Sequence, residues 1–296
     1  MSAASDARPA LSLHRTQPGE LGRRIVDGIA TTLIVGSAVL GVAILAVILG
    51  YVVIKGLPAW NIPFFTERPL PYGEVGGGVL PAIAGTMVML ILAAAIAIPA
   101  GLATAIYLSE FGRGTFPRAV RFVLDVLAGM PSIVVGVFVW ALLVRQVIGT
   151  FSALAGAVAL AIIMIPIVTR TVEEILRLVP NHLREASLAL GAPYWRTVLF
   201  VILPTARAGV ITGVMLSLAR AGGETAPLLL TALGNQFLSF DLLRPMASLP
   251  VQIYSYAVAP FDDWHTKAWG SALILILVIG TLSLLTRLAT RGARMY

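Results

Sequence analysis

Residues 185–204 read EASLALGAPYWRTVLFVILP, and they stand between two strongly apolar stretches of the chain. The segment is polar and amphipathic, which predicts a helical elbow at the aqueous surface of a membrane. An elbow held between membrane spans is a place where a soluble partner exerts force on a membrane protein. This segment is therefore more informative than any candidate catalytic group in the sequence.

The composition is typical of a polytopic membrane protein. Apolar residues make up 58% of the 296 residues and charged residues 12%, and mean hydropathy is +0.92. A helix needs about 20 apolar residues to cross a bilayer. Apolar stretches predict an all-α integral membrane protein with six transmembrane helices, near 29–54, 79–108, 122–144, 153–168, 210–233 and 270–288. The fourth stretch is short and contains Pro166, which leaves its ends open.

The basic residues predict the orientation, because Lys and Arg concentrate in cytoplasmic loops. With the N-terminus inside, fifteen basic residues fall on the cytoplasmic side and five on the external side, and Arg220 lies within a span. Both termini are therefore predicted to be cytoplasmic. The net charge of +7 is then a topology signal, and nucleic-acid binding explains it poorly because no basic patch carries interleaved aromatic residues.

The spans divide the chain into segments. They are a cytoplasmic N-terminal segment (1–28), a first transmembrane helix (29–54), an external loop (55–78), a packed core (79–290) containing a large cytoplasmic loop (171–206), and a cytoplasmic tail (291–296). The first apolar run is too long for a signal peptide, so it is interpreted as an uncleaved anchor. Gly76-Gly77-Gly78 is not followed by Gly-Lys-Ser/Thr, which favours a flexible hinge over a phosphate-binding loop.

Metal and thiol chemistry are not expected. The chain has no cysteine, so disulfides and thiolate chemistry are excluded. Its three histidines, His14, His182 and His265, fall in separate segments and form no cluster with metal-ligand spacing. No cofactor is therefore expected to bind this chain.

The elbow divides into two predicted helices. Asn181 is a good N-cap for a short helix over 182–190, and Gly191 suits the left-handed residue that closes it. Pro193 suits the first turn of a second helix, which is expected to run to about Ile202 and to stop at Pro204. The alternative is an ordinary interfacial helix that is anchored by its aromatic residues.

The spacing in the elbow resembles the EAA loop of ABC-importer permeases. That pattern is Glu-Ala-Ala, three residues, Gly, nine residues, Ile, one residue and Leu-Pro, and here Ser187 and Val201 are the two replacements. In that family the loop inserts into a groove of the ATP-hydrolysing subunit. The resemblance implies that Glu185, Ala186 and Gly191 contact this ATPase.

A second segment makes the resemblance more specific within the ABC-importer permeases. Residues 220–229 read RAGGETAPLL and look like the fifth-span signature of the PstA family of phosphate-importer permeases. Residues 105–110 (AIYLSE) and 127–134 (LAGMPSIV) fit the same family, and the likeness covers roughly residues 76–290. It implies a type I ABC-importer permease (MetI-like) fold, a bacterial inner-membrane location and inorganic phosphate as the substrate.

Arg220 and Glu224 are the candidate substrate residues. A charge deep in a span is costly, so it needs a partner or water, and residues four apart share a helix face. A guanidinium also offers a planar fork of donors that matches phosphate oxygens. Arg220 is expected to attract phosphate. Glu224 is expected to offset that charge so that phosphate does not stay bound at the arginine, since conduction requires release. The alternative is a structural ion pair that locks two helices together.

Three further features are open to two interpretations. The resemblance implies that Arg170 lies on the substrate exit route, but the preference of basic residues for the cytoplasmic side explains its position almost equally well. Asp125 is expected to be a paired structural residue, and Glu173 and Glu174 to form a solvated helix face. Small residues recur every four positions along the fifth span, where they permit close packing within the bundle or against a second permease: Gly209, Gly213, Ser217 and Ala221.

The expected partners follow from what the sequence lacks. No Gly-x4-Gly-Lys-Ser/Thr sequence is present, so ATP is expected to be used by a partner rather than by this chain. The resemblance implies a PstB-type ATPase dimer, a PstC-type second permease and a PstS-type phosphate-binding protein, besides membrane lipid. The external stretch 235–269 is a candidate receiver for the binding protein, with an interfacial lid as its alternative.

Three rival functions remain at this stage. One is a permease for another oxyanion such as sulfate, molybdate or phosphonate, which the fifth-span signature disfavours. Another is an intramembrane enzyme, for which the sequence offers no metal cluster and no nucleophile with a nearby base. The third is a non-transporting membrane scaffold or sensor, which has no need of a charged pair beside glycines in a span.

Overall fold

The computed structural model describes residues 20–71, 74 and 76–291, and every regular element in those ranges is helical. The all-α prediction is confirmed for this part of the chain. Residues 1–19 of the predicted N-terminal segment, with His14, and residues 292–296 of the predicted tail lie outside the described residues. The chain divides into two compact units, Met1–Tyr51 and Val52–Tyr296.

Twelve α-helices follow one another in the described ranges. They are α1 (Glu20–Gly56), α2 (Ile62–Thr66), α3 (Leu80–Ile106), α4 (Thr115–Gly129), α5 (Ser132–Val139), α6 (Ala153–Arg177), α7 (Asn181–Ala189), α8 (Tyr194–Thr197), α9 (Leu203–Gly222), α10 (Ala226–Thr231), α11 (Leu249–Ala257) and α12 (Asp262–Arg291). Wider π-helical stretches extend α3, α5 and α8, and they cover Tyr107–Phe111, Trp140–Ile148 and Val198–Ile202.

The helices include enough membrane spans for a multi-pass membrane protein. Four stretches of the described residues are long and apolar enough to cross a bilayer: Ile25–Ala59, Leu80–Phe111, Ala153–Arg177 and Tyr194–Gly222. The count is five if the bent pair Thr115–Gly129 and Ser132–Ile148 forms one span. The last predicted span, 270–288, lies inside α12, and the total of six stays a prediction.

The third predicted span, 122–144, is wrong as a continuous helix. α4 ends at Gly129, and the helix axis turns by 103° before the chain continues from Ser132 to Ile148. Pro131 explains the break, because a proline disfavours the helical conformation of the residue that precedes it. Met130 accordingly adopts an extended conformation with ψ of 139°.

The triple glycine before α3 is a tightly packed turn, so the prediction of a flexible hinge is wrong. A Cβ atom on Gly78 would lie 2.3 Å from the carbonyl oxygen of Pro63. The Gly77 amide donates to Glu67 Oε2 at 3.0 Å, and Lys267 Nζ donates to the Gly76 carbonyl at 2.9 Å. Glycine is required here because backbones approach closely at Gly78 and because Gly76 and Gly77 have φ of +99° and +78°.

Small residues allow α3 and α6 to pack closely along most of their lengths. Ala93, Ala97 and Ala105 recur on one face of α3 and are fully buried. Between them, a Cβ atom on Gly101 would lie 2.8 Å from Val168 Cβ. Thr169 Oγ1 donates to the Gly101 carbonyl oxygen at 3.3 Å. This contact of backbones and short side chains is a common way for membrane helices to associate.

The small-residue stripe of α9 packs against α6. Cβ atoms on Gly209 and Gly213 would lie 2.5 Å from Ile175 Cγ2 and 2.8 Å from Thr171 Cγ2, respectively. The residue numbers on the two helices run in opposite directions, so α6 and α9 are antiparallel. Of the two interpretations of the stripe, packing within the bundle is therefore confirmed.

The connection after α10 closes the N-terminal end of α6. The Ser152 amide donates to the Thr231 carbonyl at 2.9 Å, and the Ala153 amide donates to the Arg244 carbonyl at 3.1 Å. These bonds satisfy amides that the first turn of a helix leaves without intrahelical partners. They also place the end of α10 beside the beginning of α6.

Candidate transport and coupling sites

The fifth span is interrupted at the segment that carries the candidate substrate residues. The predicted continuous span 210–233 is wrong, because the helical path begins at Tyr194, ends at Gly222 and resumes only at Ala226. Arg220 lies in the last turn of α9, and Glu224 lies in the connection that follows. The cation is well placed there, since the C-terminal end of a helix carries a partial negative charge.

Arg220 and Glu224 form a loose pair across this interruption. Arg220 Nε lies 3.7 Å from Glu224 Oε1, which is longer than a hydrogen bond. The Arg220 side chain is 56% exposed, whereas that of Glu224 is 15% exposed. The predicted proximity of the two charges is confirmed. The guanidinium keeps most of its donors available for another oxygen-rich group.

The interruption lies about halfway along α6. Gly213 faces Thr171, and Arg220 follows Gly213 by seven residues, a rise of about 10 Å along the helix. Because the helices are antiparallel, Arg220 is level with the middle of α6. Ala221 accordingly belongs to a buried cluster that includes Leu160 and Met164. The two charges thus lie level with the middle of a neighbouring span, as the sequence predicted.

Arg170 is held in a separate ion-pair network. One of its terminal nitrogens contacts the carboxylate of Asp125 and donates to the Arg121 carbonyl at 3.2 Å. The other lies 3.8 Å from Glu173 Oε2. The prediction that Asp125 is paired is confirmed, and its partner is Arg170. Arg170 lies six residues beyond Met164 on α6, about 9 Å along the helix from the level of Arg220.

Glu173 is at the centre of that network, so its assignment to a solvated helix face is wrong. Its side chain is 3% exposed, and Oε1 accepts from Arg121 Nε at 2.7 Å and from Arg177 Nη2 at 2.6 Å. Glu174, by contrast, is exposed. The sequence did contain a signal for this pairing. Arg170 precedes Glu173 by three residues and Arg177 follows it by four, and both spacings place side chains together on a helix.

The elbow has the predicted turn but different helix limits. Gly191 adopts the left-handed conformation, with φ of +80°, and its prediction is confirmed. Asn181 is not an N-cap residue: α7 starts at Asn181 itself, and its Oδ1 accepts from Arg184 Nη1 at 3.2 Å. Ser187 Oγ lies 2.9 Å from Thr197 Oγ1 and joins α7 to α8.

Pro204 does not stop the second elbow helix, contrary to the prediction. It lies in the first turn of α9, and the π-helical stretch Val198–Ile202 connects that turn to α8 without a break. Proline lacks an amide hydrogen and its ring crowds the carbonyl of the residue four positions earlier. The wider π-helical turn accommodates both effects, so the elbow continues directly into the fifth span.

The residues predicted to contact an ATPase lie together on the exposed part of the elbow. Glu185, Ala186 and Gly191 are all exposed, and so are the apolar side chains of Leu190 and Trp195. Tyr194 behaves differently from a membrane anchor, because its ring packs edge-on against Phe111 with centroids 5.4 Å apart. Trp195, in contrast to Tyr194, is exposed and is free to act as an interfacial anchor.

A buried carboxylate at the end of the second span binds both halves of the elbow. Glu110 accepts from Arg184 Nη2 at 2.7 Å, from Arg184 Nε at 3.1 Å and from the Tyr194 hydroxyl at 2.9 Å. The hydrogen bond to Glu110 raises the pKa of Arg184 above its usual value, against the opposing effect of burial. Local sequence patterns gave no signal of this cluster, since Glu110 precedes Arg184 by 74 residues.

Residues 97–292 match the family described as binding-protein-dependent transport system inner membrane component. The chain belongs to this family. The matched range contains the elbow, the interrupted span and both charge networks. These features therefore belong to the part of the chain shared with binding-protein-dependent transport components.

Curated relatives within this transport family confirm the resemblance to PstA proteins. The phosphate transport system permease protein PstA of Pasteurella multocida is 44% identical over 267 residues, which cover 90% of this chain and 95% of the relative. Its counterpart from Yersinia pestis is 43% identical over 266 residues, covering 90% of each chain. PstA 1 of Mycobacterium tuberculosis is 40% identical, covering 94% of this chain and 93% of the relative.

Solved transporter structures confirm the fold expected for the family. A chain of the MetNI methionine ABC transporter in an inward facing conformation superposes with a TM-score of 0.58 at 23% identity, covering 73% of this chain and 94% of the other. A chain of an amino acid ABC transporter solved with histidines gives a TM-score of 0.53 at 19% identity, covering 72% and 94%. The ABC-permease architecture thus extends over most of this transport component.

Proposed function

We propose that the chain is the membrane-spanning permease subunit of an ATP-driven importer of inorganic phosphate in the bacterial inner membrane. The observation that carries the proposal is the interrupted fifth span, with Arg220 more than half exposed at mid-depth and 3.7 Å from Glu224. A guanidinium in that position supplies several donors to one anion. The PstA relatives support phosphate as that anion.

The two charges have opposite roles in the proposed path. Arg220 lowers the barrier to a phosphate ion inside the bundle, where an uncompensated anion is strongly disfavoured. Glu224 reduces the net positive charge at the site and holds the arginine when the path is empty. Phosphate consequently binds weakly enough to leave, which conduction requires. The 3.7 Å distance between Arg220 and Glu224 supports this role, because the arginine exchanges a weak contact with the carboxylate for hydrogen bonds to phosphate.

Arg170 is proposed as a second, weaker contact on the exit route. Its charge is already shared with Asp125 and Glu173, so it attracts an anion less strongly than Arg220 does. A decrease in attraction along the path favours release. Its position about 9 Å along α6 from the level of Arg220 suits a site that follows the first one.

ATP hydrolysis is assigned to a PstB-type ATPase dimer, and this chain is proposed to bind no cofactor of its own. Glu185, Ala186 and Gly191 form its docking surface, which their exposure supports. One elbow serves one ATPase, so a PstC-type permease supplies the other elbow and the other half of the path. Exposed Phe237 and Phe240 in 235–269 support that stretch as the receiver of a PstS-type binding protein.

Reconstitution tests this function. Proteoliposomes are prepared with this chain, a second permease and an ATPase dimer, and the binding protein is supplied at the outer face. Labelled phosphate is expected to accumulate only with ATP, and unlabelled phosphate is expected to compete. Stronger competition by sulfate, molybdate or phosphonate would assign another oxyanion. Phosphate equilibration by the chain alone, without an ATPase, would contradict the proposed division of roles.

A further inference from the structure

We infer that Glu110 is a positioning residue that transmits movement of the elbow to the second span through Arg184 and Tyr194. The inference rests on the proposed function, and it assigns to Glu110 a part in coupling ATP hydrolysis to transport. Glu110 lies in the π-helical stretch Tyr107–Phe111 at the end of the second span.

The contacts of Glu110 reach both helices of the elbow. Arg184 belongs to α7, and Tyr194 is the first residue of α8. The Glu110 side chain is 2% exposed, so water does not compete freely for its oxygens. Two nitrogens of one guanidinium contact the carboxylate, and this fork fixes direction as well as distance.

Arg184 is also fixed to the end of the fourth span. Its Nη1 donates to the Val179 carbonyl at 2.6 Å, and its Nη2 donates to the Leu176 carbonyl at 3.1 Å. These carbonyls lie where α6 ends, and the Leu176 carbonyl also accepts from the Val179 amide at 3.3 Å, so Arg184 joins the hydrogen bonds that close this helix. A displacement of α7 therefore acts on the ends of the second and fourth spans together.

The backbone alone gives a weaker connection between α7 and the spans than the continuous helix gives between α8 and the fifth span. Pro180 precedes α7 and Gly191 follows it, so the chain changes direction at both ends. A Cβ atom on Gly191 would have no neighbour within 4 Å, so that turn is held by its own backbone hydrogen bonds and not by packing against other segments. Side-chain contacts at Glu110 connect α7 to the second span, and the Ser187–Thr197 contact connects it to α8.

The second span is a suitable recipient of this movement. π-Helical turns have a less regular hydrogen-bond ladder than α-helix and are frequent at functional sites. The Tyr107–Phe111 stretch is held from its other side too, where Arg121 Nη2 of α4 donates to the Leu108 carbonyl at 2.7 Å. A shift of this stretch consequently also reaches the helix that precedes the 103° bend.

The test measures the ratio of phosphate transported to ATP hydrolysed by the reconstituted complex. Glu110→Gln keeps the side-chain size and removes the charge. We expect this variant to assemble with the ATPase at the wild-type ratio and to hydrolyse ATP, while the transport ratio falls at least tenfold. Glu110→Asp keeps the charge and is expected to restore part of the ratio. Tyr194→Phe, which removes one hydrogen bond, is expected to give an intermediate ratio.

Arg177→Gln is the matched control. Arg177 makes an equally short contact with a buried carboxylate, Glu173, at 2.6 Å, but both residues lie on α6. Its transport ratio is expected to stay within twofold of wild type. If Glu110→Gln fails to assemble, Tyr194→Phe decides the question, because it leaves the Arg184–Glu110 pair in place.

Two outcomes separate the inference from the proposed function. Wild-type coupling in both Glu110→Gln and Tyr194→Phe, with phosphate still transported by the wild-type complex, would overturn the inference alone. Equal losses of ATP hydrolysis and transport at a constant ratio would also overturn it, since they indicate a structural role. If the wild-type complex does not transport phosphate with ATP, the proposed function itself fails.

Discussion

Arg220 and Glu224 face each other across the end of α9, with Nε and Oε1 3.7 Å apart. Glu224 lies inside the interruption of the span, where Gly222 ends one helix and Ala226 begins the next. The interruption lies level with the middle of α6, where Ala221 shares a buried cluster with Leu160 and Met164. The loose pair therefore combines mid-membrane depth with an accessible guanidinium.

Glu224→Gln is expected to make the site retain its anion. Without the carboxylate, Arg220 is uncompensated, so phosphate binds more tightly and leaves more slowly. In initial-rate measurements of labelled phosphate uptake, both the maximal rate and the half-saturating phosphate concentration should fall severalfold. An unchanged half-saturating concentration together with an unchanged maximal rate would show that Glu224 does not tune the site.

Gly191→Ala is expected to weaken docking of the ATPase. Gly191 has φ of +80°, and the left-handed region costs about 1–2 kcal/mol for a residue with a Cβ atom. Gly149→Ala is the matched control, since Gly149 also has φ of +80° and open space around it. Copurification of the ATPase with affinity-tagged permease should decrease only for Gly191→Ala. Equal decreases in both variants would assign the effect to general destabilisation.

Gly101→Ala is expected to destabilise the bundle. The new Cβ atom would lie 2.8 Å from the β-branched Val168, and overpacking of this kind costs about 1–3 kcal/mol. Gly280→Ala, in α12, has nothing within 4 Å and should instead raise stability by about 0.5–1 kcal/mol. Thermal unfolding in detergent measures both. Similar midpoints for the two variants would contradict the close contact between α3 and α6.

Glu173→Gln is expected to destabilise the end of the bundle that adjoins the elbow. Neutralising the buried carboxylate weakens its contacts with Arg121 and Arg177, and a hydrogen bond to a charged group contributes about 1.5–3 kcal/mol. Glu174→Gln, at the exposed neighbouring position, should change stability by less than about 0.5 kcal/mol. A thermal shift of the same size in both variants would show that Glu173 is not a structural centre.

Features determined by local sequence were predicted well. Long apolar stretches gave the helical membrane class, and Gly191 gave the elbow turn because a left-handed residue at a helix end is a local property. The i, i+4 spacing brought Arg220 and Glu224 together. Each of these inferences depends on a few neighbouring residues and needs no knowledge of how distant segments pack.

The errors have three different physical origins. The bend at Pro131 had a local signal, but hydropathy averaging over 122–144 concealed it. Pro204 continues the helix because π-helical geometry accommodates the ring, and that adjustment is not encoded in residue type alone. The Glu110 cluster joins residues 74 and 84 positions apart, so only the folded chain brings them together.

The most direct measurement is the rate of ATP-dependent phosphate uptake by proteoliposomes that contain the Arg220→Ala variant in an assembled complex. Arg118→Ala, which removes an exposed arginine whose Nε donates to the Gly114 carbonyl at 3.1 Å, is the control. Because a hydrogen bond from a charged donor contributes about 1.5–3 kcal/mol, and Arg220 supplies several, uptake is predicted to fall at least tenfold with assembly unchanged. Uptake at the wild-type rate in the assembled Arg220→Ala complex would contradict a phosphate contact at the interrupted span.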